Sequence, residues 1–454
     1  MKFYIKTYGC QMNERDSDAV AALLVQRGHE LASGEGDAEL LLINTCSVRA
    51  KAEHKALGKL GLTTAPNRSK TLRLVGAFGC MVERLGPRLF DKLPNLDFAV
   101  GTHRFRALPD IVDRVLAGPE KILAVGENPD GEHAVSEHAV LGVSAFVNIL
   151  FGCNRGCSYC IVPTVRGGEI SRPAREILDE LRDLAARQVR EVTLLGQSVM
   201  AYGRAQAVWE AADRSPGGYQ EPFARLLEAA AEIEGLRRIR FASGHPSGCT
   251  AELARVMGAV PKLCRHLHLP LQSASDRILK MMRRGYSADD YRRAVARLRE
   301  TVPDIAITTD IIVGFPSESP SEFEATRAFM DEIGFDNAFI FKYSPRPGTP
   351  AAGWPDDIAM DEKIRRNKTL LQDQNRRTLA VNEAMIGRTA DVLVEGVSPR
   401  NPDRWTGRTS GNKIVVFSPE FDMRKGDMIR VRIARAMPQT LYGAVEGSPC
   451  EVER

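Results

Sequence analysis

SAFVNILFGCNRGCSYC, residues 144–160, is the stretch whose reading decides the fold. Its first seven residues read as a β-strand, and three cysteines follow at once, separated by three and then two residues. One loop with that spacing can place three thiolates around a single cubane iron–sulfur cluster, whose four iron corners usually take four cysteines. Three protein ligands leave one iron open, and an open metal position is where substrate chemistry happens. Structural zinc asks for four protein ligands. His266 and His268 are available to complete such a set; the alternative is that they alternate across the strand HLHLP (266–270), one of them facing inward.

Downstream of this stretch the strand pattern recurs. VTLLG (192–196), IRFAS (239–243), HLHLP, ITTDIIVG (307–314) and AFIFKY (338–343) make six strands with SAFVNIL, and amphipathic helices are expected near 173–187, 223–234, 288–300 and 321–333. Six strand–helix units predict a partial (β/α)6 barrel, open because the usual closure takes eight. Cys153 follows the first strand, at the C-terminal end where such barrels carry their sites. Residues 203–222 read as a loop insertion on that face.

Upstream, a different unit repeats. A strand over 3–7 leads into TYGC and a helix over 14–26; ELLLIN (39–44) leads into TC and the helical stretch 48–60; TLRLVGA (71–77) leads into FGC and the helical stretch 81–89. ELLLIN is a nearly continuous apolar run, as in a parallel strand buried on both faces. Strand, cysteine, helix, three times over, predicts a doubly wound parallel sheet. Because ligands bind at the strand C-terminal ends of such sheets, Cys10, Cys46 and Cys80 are expected to converge on one spot as a second trio.

The 454 residues are too many for one core. An apolar content of 43% and a charged content of 26% are those of a globular protein. Nine cysteines without a signal peptide point to the cytoplasm, where grouped cysteines hold metal more often than disulfides. No window is apolar enough for a membrane helix. Residues 126–138 read as a linker and 344–355 as a turn-rich connector; a charged helix over 361–383 precedes five short strands, the pattern of a small barrel of a kind that binds nucleic acid. Residues 376–454 hold 13 Lys+Arg against 10 Asp+Glu, a modest excess. Cys249, Cys264 and Cys450 lack a partner pattern.

CNRGCSYC followed by IVP and RGGEISR resembles the radical S-adenosylmethionine (SAM) superfamily. TYGCQMNERDS, INTCSVRAKAEHK, AFGC, VPTVRGGEISRP, LLGQSVMAYG, HLHLPLQSAS, TTDIIVGFP and YSPRPGTPAA extend the likeness over nearly the whole chain to the radical SAM methylthiotransferases, in the MiaB-like branch acting on N6-isopentenyladenosine of tRNA. The resemblance implies an α/β chain of three domains: an N-terminal methylthiotransferase domain (1–120), a radical SAM core (139–375) and an OB-like TRAM barrel (376–448). The sequence departs from the family pattern at Ser198, at Ala274 and in FPSES (315–319).

By this resemblance Cys153, Cys157 and Cys160 hold the [4Fe-4S] cluster that binds SAM, and Cys10, Cys46 and Cys80 hold an auxiliary [4Fe-4S] cluster. The chemistry implied is hydrogen abstraction from C2 of adenosine 37 in the anticodon stem-loop, sulfur insertion and S-methylation. Radical chemistry suits a strong C–H bond that acid–base groups cannot attack. Tyr159, Glu169, Gln197, Ser243, Gln272 and Gly314 are candidate SAM contacts. Arg166 and Arg172 are candidates for a SAM carboxylate, an RNA phosphate or a salt bridge. Arg404, Arg408, Arg430 and Arg432 are candidate phosphate contacts in the TRAM barrel. An external electron donor, a sulfur source and a monomeric state complete the expectation. A threonylcarbamoyladenosine or ribosomal-protein substrate, or a non-catalytic iron–sulfur RNA-binding protein, are the competing readings.

Overall fold

The computed structural model describes residues 1–65, 71–127, 135–139, 142–210, 213–420 and 422–447; Cys450 and most of the 126–138 linker lie outside them. The N-terminal sheet is parallel throughout, built from β1 (Lys2–Thr7), β2 (Glu30–Leu31), β3 (Leu40–Thr45), β4 (Leu74–Gly79), β5 (Phe98–Val100) and β6 (Ile122–Ala124) in the order β2-β1-β3-β4-β5-β6. The apolar runs bury both faces. Leu40, Leu42, Leu74, Phe78 and Phe98 enter one core cluster, and their neighbours Leu41, Ile43, Val75, Ala77 and Ala99 enter another. In this order the chain switches direction between β1 and β3, which is where doubly wound sheets open a crevice. Cys10 and Cys46 follow those two strands, and Cys80 follows β4.

The central unit is a curved row of six parallel strands: β7 (Ser144–Asn148), β10 (Glu191–Leu195), β11 (Arg238–Phe241), β12 (His266–His268), β13 (Ala306–Val313) and β14 (Asn337–Lys342), with β8 (Leu150–Phe151) and β9 (Ile170–Ser171) forming a small antiparallel pair beside the cysteine loop. Two three-stranded segments, β7-β10-β11 and β12-β13-β14, join through one bridge between Ile239 and Leu263. The period of two divides each strand. Val147, Val192, Leu194, Ile239, Leu267, Ile307 and Ile340 pack outward under the helices, whereas Phe146, Thr193, Arg240, His266, His268, Thr308 and Phe339 face a lumen. This corrects the expectation for HLHLP. Residues two apart share a strand face, so both histidines point inward, each hydrogen-bonded to Thr308 Oγ1, at 3.2 and 3.0 Å.

The expected helices form at Ala174–Ala186, Pro222–Ala231, Ala288–Thr301 and Pro320–Ile333, and two further ones at Ala251–Ala259 and Asp276–Met281. Met360–Glu383 is one unbroken helix, running through position 375. Its Lys363 and Arg366 are buried against the outlet of β13, where Arg366 pairs with Glu318 at 2.7 Å.

The last unit is a closed five-stranded barrel of β15 (Thr389–Ser398), β16 (Asn401–Thr409), β17 (Ile414–Phe417), β18 (Met428–Met437) and β19 (Thr440–Glu446). It is docked under the lumen. Arg238 and Arg240 of β11 donate to the carbonyls of Asp391, Arg408, Thr409 and Ser410. Lys413 Nζ reaches Asp336 and Asn382, each at 2.9 Å. Among the described residues no helix is long and apolar enough to cross a membrane.

Candidate functional site

The compact trio is set by glycine geometry. Gly152, between β8 and Cys153, has φ +70°, and a Cβ there would fall on the Gly168 carbonyl and within 2.6 Å of the Gly167 oxygen. Only glycine lets the chain turn that tightly while Cys153 N–H donates to Gly167 O at 3.1 Å. Burial pushes the Cys160 thiol up to about 12, with the charges of Cys157 and Cys153 adding to the rise. Cys153 is raised by burial, then by Glu169 and Cys157. Cys160 N–H donates to Cys157 O at 3.1 Å, so the three cysteines lie together on one short loop. Arg284, 8% exposed, answers that charge by donating from Nη1 to Cys157 Sγ at 3.3 Å.

The dispersed trio does converge, and buried amides hold it. Asn13 Nδ2 donates to Asn44 Oδ1 at 2.8 Å and to Thr45 O at 3.1 Å, while Asn44 Nδ2 returns a bond to Asn13 O at 2.8 Å. This couples the Cys10 turn, which opens α1 (Gln11–Gln26), to the end of β3. Thr45 Oγ1 then donates to Phe78 O at 2.7 Å, tying in the Cys80 turn. Gly79 (φ +100°) is required there, since a Cβ would lie 2.6 Å from Asn44 Oδ1. Burial drives the Cys80 thiol up to about 12; Arg166 works against that rise, and Cys46, Asp16 and Cys10 add to it. Burial also raises Cys46, followed by Cys10.

Among the described residues no three His, Cys, Asp or Glu side chains are close enough to hold a single metal ion. A tetrahedral zinc with 2.3 Å bonds needs sulfurs roughly 3.8 Å apart. A cubane takes each cysteine on a different iron and so spreads them wider. Three cysteines with no fourth protein ligand among the described residues are the kind of donor set an open-cornered cluster takes, and the chain offers two such trios.

A cavity of about 910 Å³ runs from the Cys10 and Cys80 turns through the lumen to the C-terminal barrel. Val162, Val165 and Arg166, just after Cys160, line it, although the compact trio itself does not. Gln197 and Ser243 line it at the C-terminal ends of β10 and β11. Gln197 Oε1 is buried with no partner, an acceptor waiting for a ligand donor. Ser243 (φ +66°) and Gln272 (φ +72°) are both left-handed without being glycine, and such strain gathers at binding sites. Gln272 follows Pro270, whose carbonyl accepts from Arg284 at 3.2 Å, so its loop adjoins Cys157. Glu169 Oε1 accepts from Asn154 N–H at 3.2 Å in the cluster loop. Tyr159 meets Phe315 edge-on at 6.5 Å.

Gly314 follows β13, next to the Phe315 that meets Tyr159. Its N–H donates to Glu318 at 2.7 Å, and a Cβ would strike the Lys363 stem, so the helix Met360–Glu383 accounts for this glycine. Arg172 is a buried structural cation, paired with Glu180 at 2.7 Å. Arg408 is held by Glu395 at 2.9 Å and lines the cavity at the barrel junction. Arg430 and Arg432 project outward from one face of β18, Arg404 is half-buried on β16, and Arg432 pairs with Glu446 at 3.4 Å.

Sequence reading missed three groups around the compact trio. Arg284 is one. Arg155 bonds Ser198 and Ser247 at 3.0 and 3.1 Å. His245, 3% exposed, is pushed down to about 2 by burial and then by Arg284 and Arg155, which keeps it neutral. The only local signal was the arginine pair in MMRRGYS (281–287).

Fold and site together define a radical SAM protein with a second, three-cysteine centre. Family models agree: the Radical SAM superfamily matches residues 147–330, Uncharacterized protein family UPF0004 residues 2–101, and the TRAM domain residues 383–445. The chain is 43% identical over 465 residues to a tRNA-2-methylthio-N(6)-dimethylallyladenosine synthase of Akkermansia muciniphila, covering 99% of both chains. It is 41% identical to the protein of that name from Methylacidiphilum infernorum, covering 97% of this chain and 94% of the relative. A radical SAM methyltransferase from Kitasatospora setae shares the fold, with a TM-score of 0.55 at 12% identity, over 77% of this chain and 74% of that one. The chain belongs to the family of tRNA-2-methylthio-N(6)-dimethylallyladenosine synthases.

Proposed function

We propose that this enzyme transfers a methylthio group to C2 of N6-isopentenyladenosine at position 37 of tRNA. Two cysteine trios at the mouths of two adjoining parallel sheets carry this reading, with a cavity that reaches both units. Bound there, SAM and two [4Fe-4S] clusters supply hydrogen abstraction, sulfur insertion and S-methylation. Cys153, Cys157 and Cys160 hold one cluster; Cys10, Cys46 and Cys80 hold the other. Gln197, Ser243, Gln272, Glu169 and Tyr159 are the groups we assign to SAM, and Gln197 Oε1 supports this through its missing partner. Arg284 stabilises charge on Cys157, and neutral His245 leaves the pocket free of a further cation.

The target base must leave its stack to enter the cavity, which costs a few kcal/mol in a duplex and less in a loop. Arg404, Arg430 and Arg432 are the phosphate contacts we assign on the C-terminal barrel. We place the working enzyme in the cytoplasm as a monomer with an external electron donor and sulfur source, and divide it at 1–120, 139–375 and 376–448.

The test is anaerobic incubation of the reconstituted enzyme with prenylated tRNA, SAM and reductant, followed by nucleoside analysis. Cys157→Ala should abolish SAM cleavage. Cys46→Ala should cleave SAM yet make no methylthio product. Product from Cys46→Ala would sink the division of labour between the trios.

A further inference from the structure

We propose that the auxiliary cluster is completed across the domain boundary: Arg166 of the radical SAM core, oriented by Asp16 of the N-terminal domain, hydrogen-bonds Cys80 and sets the reduction potential of the cluster held there. The proposal rests on the assignment of Cys10, Cys46 and Cys80 to a [4Fe-4S] cluster.

Arg166 ends the short helix Val162–Arg166, which starts two residues after Cys160. Its side chain crosses to the other domain. Nε donates to Cys80 Sγ at 3.3 Å, and Nη2 pairs with Asp16 Oδ2 at 2.5 Å. Arg166 is 6% exposed and Asp16 3%, so water screens neither charge. Ile161 and Val165, from the same segment, close apolar contact around Cys80, and Thr102 Oγ1 of the N-terminal unit donates to Val165 O at 2.5 Å. One seven-residue segment, Cys160–Arg166, thus begins at a ligand of the first cluster and ends on a ligand of the second.

A second reach across the boundary comes from YSPRPGTPAA. Its Arg346 donates to Val48 O at 3.0 Å, on the loop that leaves Cys46. The N-terminal domain supplies the three thiolates, and the core supplies a donor and a positive charge beside them.

Reduction adds negative charge to a cluster, and hydrogen bonds to its sulfurs together with nearby cations favour that state. Arg166 therefore raises the potential and Asp16 lowers it. A merely structural ion pair would not give opposite signs, because losing either partner would loosen the same contact.

The test uses the full chain with Cys153, Cys157 and Cys160 replaced by alanine, so that only the auxiliary cluster is read. Iron content and dye-mediated potentiometric titration followed by EPR are compared in this background and with Arg166→Gln or Asp16→Asn added. Arg166→Gln should lower the reduced-to-oxidised ratio at a fixed potential about tenfold, which is about 59 mV for one electron. Asp16→Asn keeps an acceptor for Arg166 Nη2 and should shift the ratio several-fold the other way. If Arg166→Gln loses iron, Asp16→Asn decides alone: a raised potential supports the proposal, and an unchanged or lowered one overturns it. Equal potentials in all three chains, or shifts of one sign, overturn the proposal and leave the cluster assignment standing. No iron in the background chain overturns both.

Discussion

Gly152→Ala is the sharpest probe of how the backbone builds the compact trio. Alanine at φ +70° costs about 1–2 kcal/mol for the left-handed conformation alone. Its methyl would also land on the Gly168 carbonyl, and neither partner is the flexible end of a side chain. Relief needs a backbone shift of the overpacking kind, about 1–3 kcal/mol, in a loop whose ends are pinned by the Leu150–Ser171 and Phe151–Ile170 pairs. The sum, about 2–5 kcal/mol, corresponds to roughly 30-fold to several-thousand-fold in an equilibrium constant. That penalty falls on the conformation that presents Cys153, while the auxiliary trio lies on another sheet. Anaerobic reconstitution should give about eight irons per wild-type chain, as two four-iron clusters require, and about four in Gly152→Ala. SAM cleavage to 5′-deoxyadenosine should be lost with the missing four. A Gly152→Ala enzyme with a full iron complement and wild-type cleavage would refute the reasoning.

Other outcomes follow from the domain junctions and the outer barrel. His138 sits between Asp18 (2.6 Å) and Glu180 (2.9 Å), with Arg15 and Arg172 on the same carboxylate cluster. Burial opposes its charge, but the two carboxylates prevail and raise its pKa. Its contribution is therefore complete below the unfolded value of about 6.5 and fades as pH rises through the higher folded value. Thermal unfolding should show this loss as pH rises above about 6.5, and His138→Gln should flatten that dependence. Arg430→Gln and Arg432→Gln should weaken tRNA binding with little regard to sequence and reduce the salt slope by about one each, measured by binding titrations at several salt concentrations. Lys413→Met strands Asp336 and Asn382, costing about 1–3 kcal/mol; hydrogen exchange should then rise in the C-terminal barrel and the facing end of the lumen.

Local pattern was enough for much of this architecture. ELLLIN is apolar at successive positions because its strand is covered on both faces, and that demand is written residue by residue. The three-then-two spacing puts Cys153, Cys157 and Cys160 on one short loop, and that placement was legible without coordinates. The dispersed trio was legible because equal strand–cysteine–helix units in a parallel sheet must end on one edge. The inward direction of both His266 and His268 was also present in the period of two, and the expectation that only one faced inward misapplied it. Helices Ala251–Ala259 and Asp276–Met281 passed unnoticed because short helices between strands carry little periodicity of their own.

The charged surroundings of the clusters belong to the tertiary structure alone. Arg166 meets Cys80 at a separation of 86 positions and Asp16 at 150; Arg284 meets Cys157 at 127. An arginine in a sequence reads as a solvated charge, and only burial turns it into a group that must find an anion. Gly314 shows the same limit, since its conformation answers to Lys363 on a helix that begins 46 residues later. Chain-local chemistry determined which atoms could bind the clusters, because ligand type and spacing are properties of a short segment. Which charges stand beside those ligands was decided by how the domains dock, because electrostatic partners are chosen by distance in space and by exclusion of water.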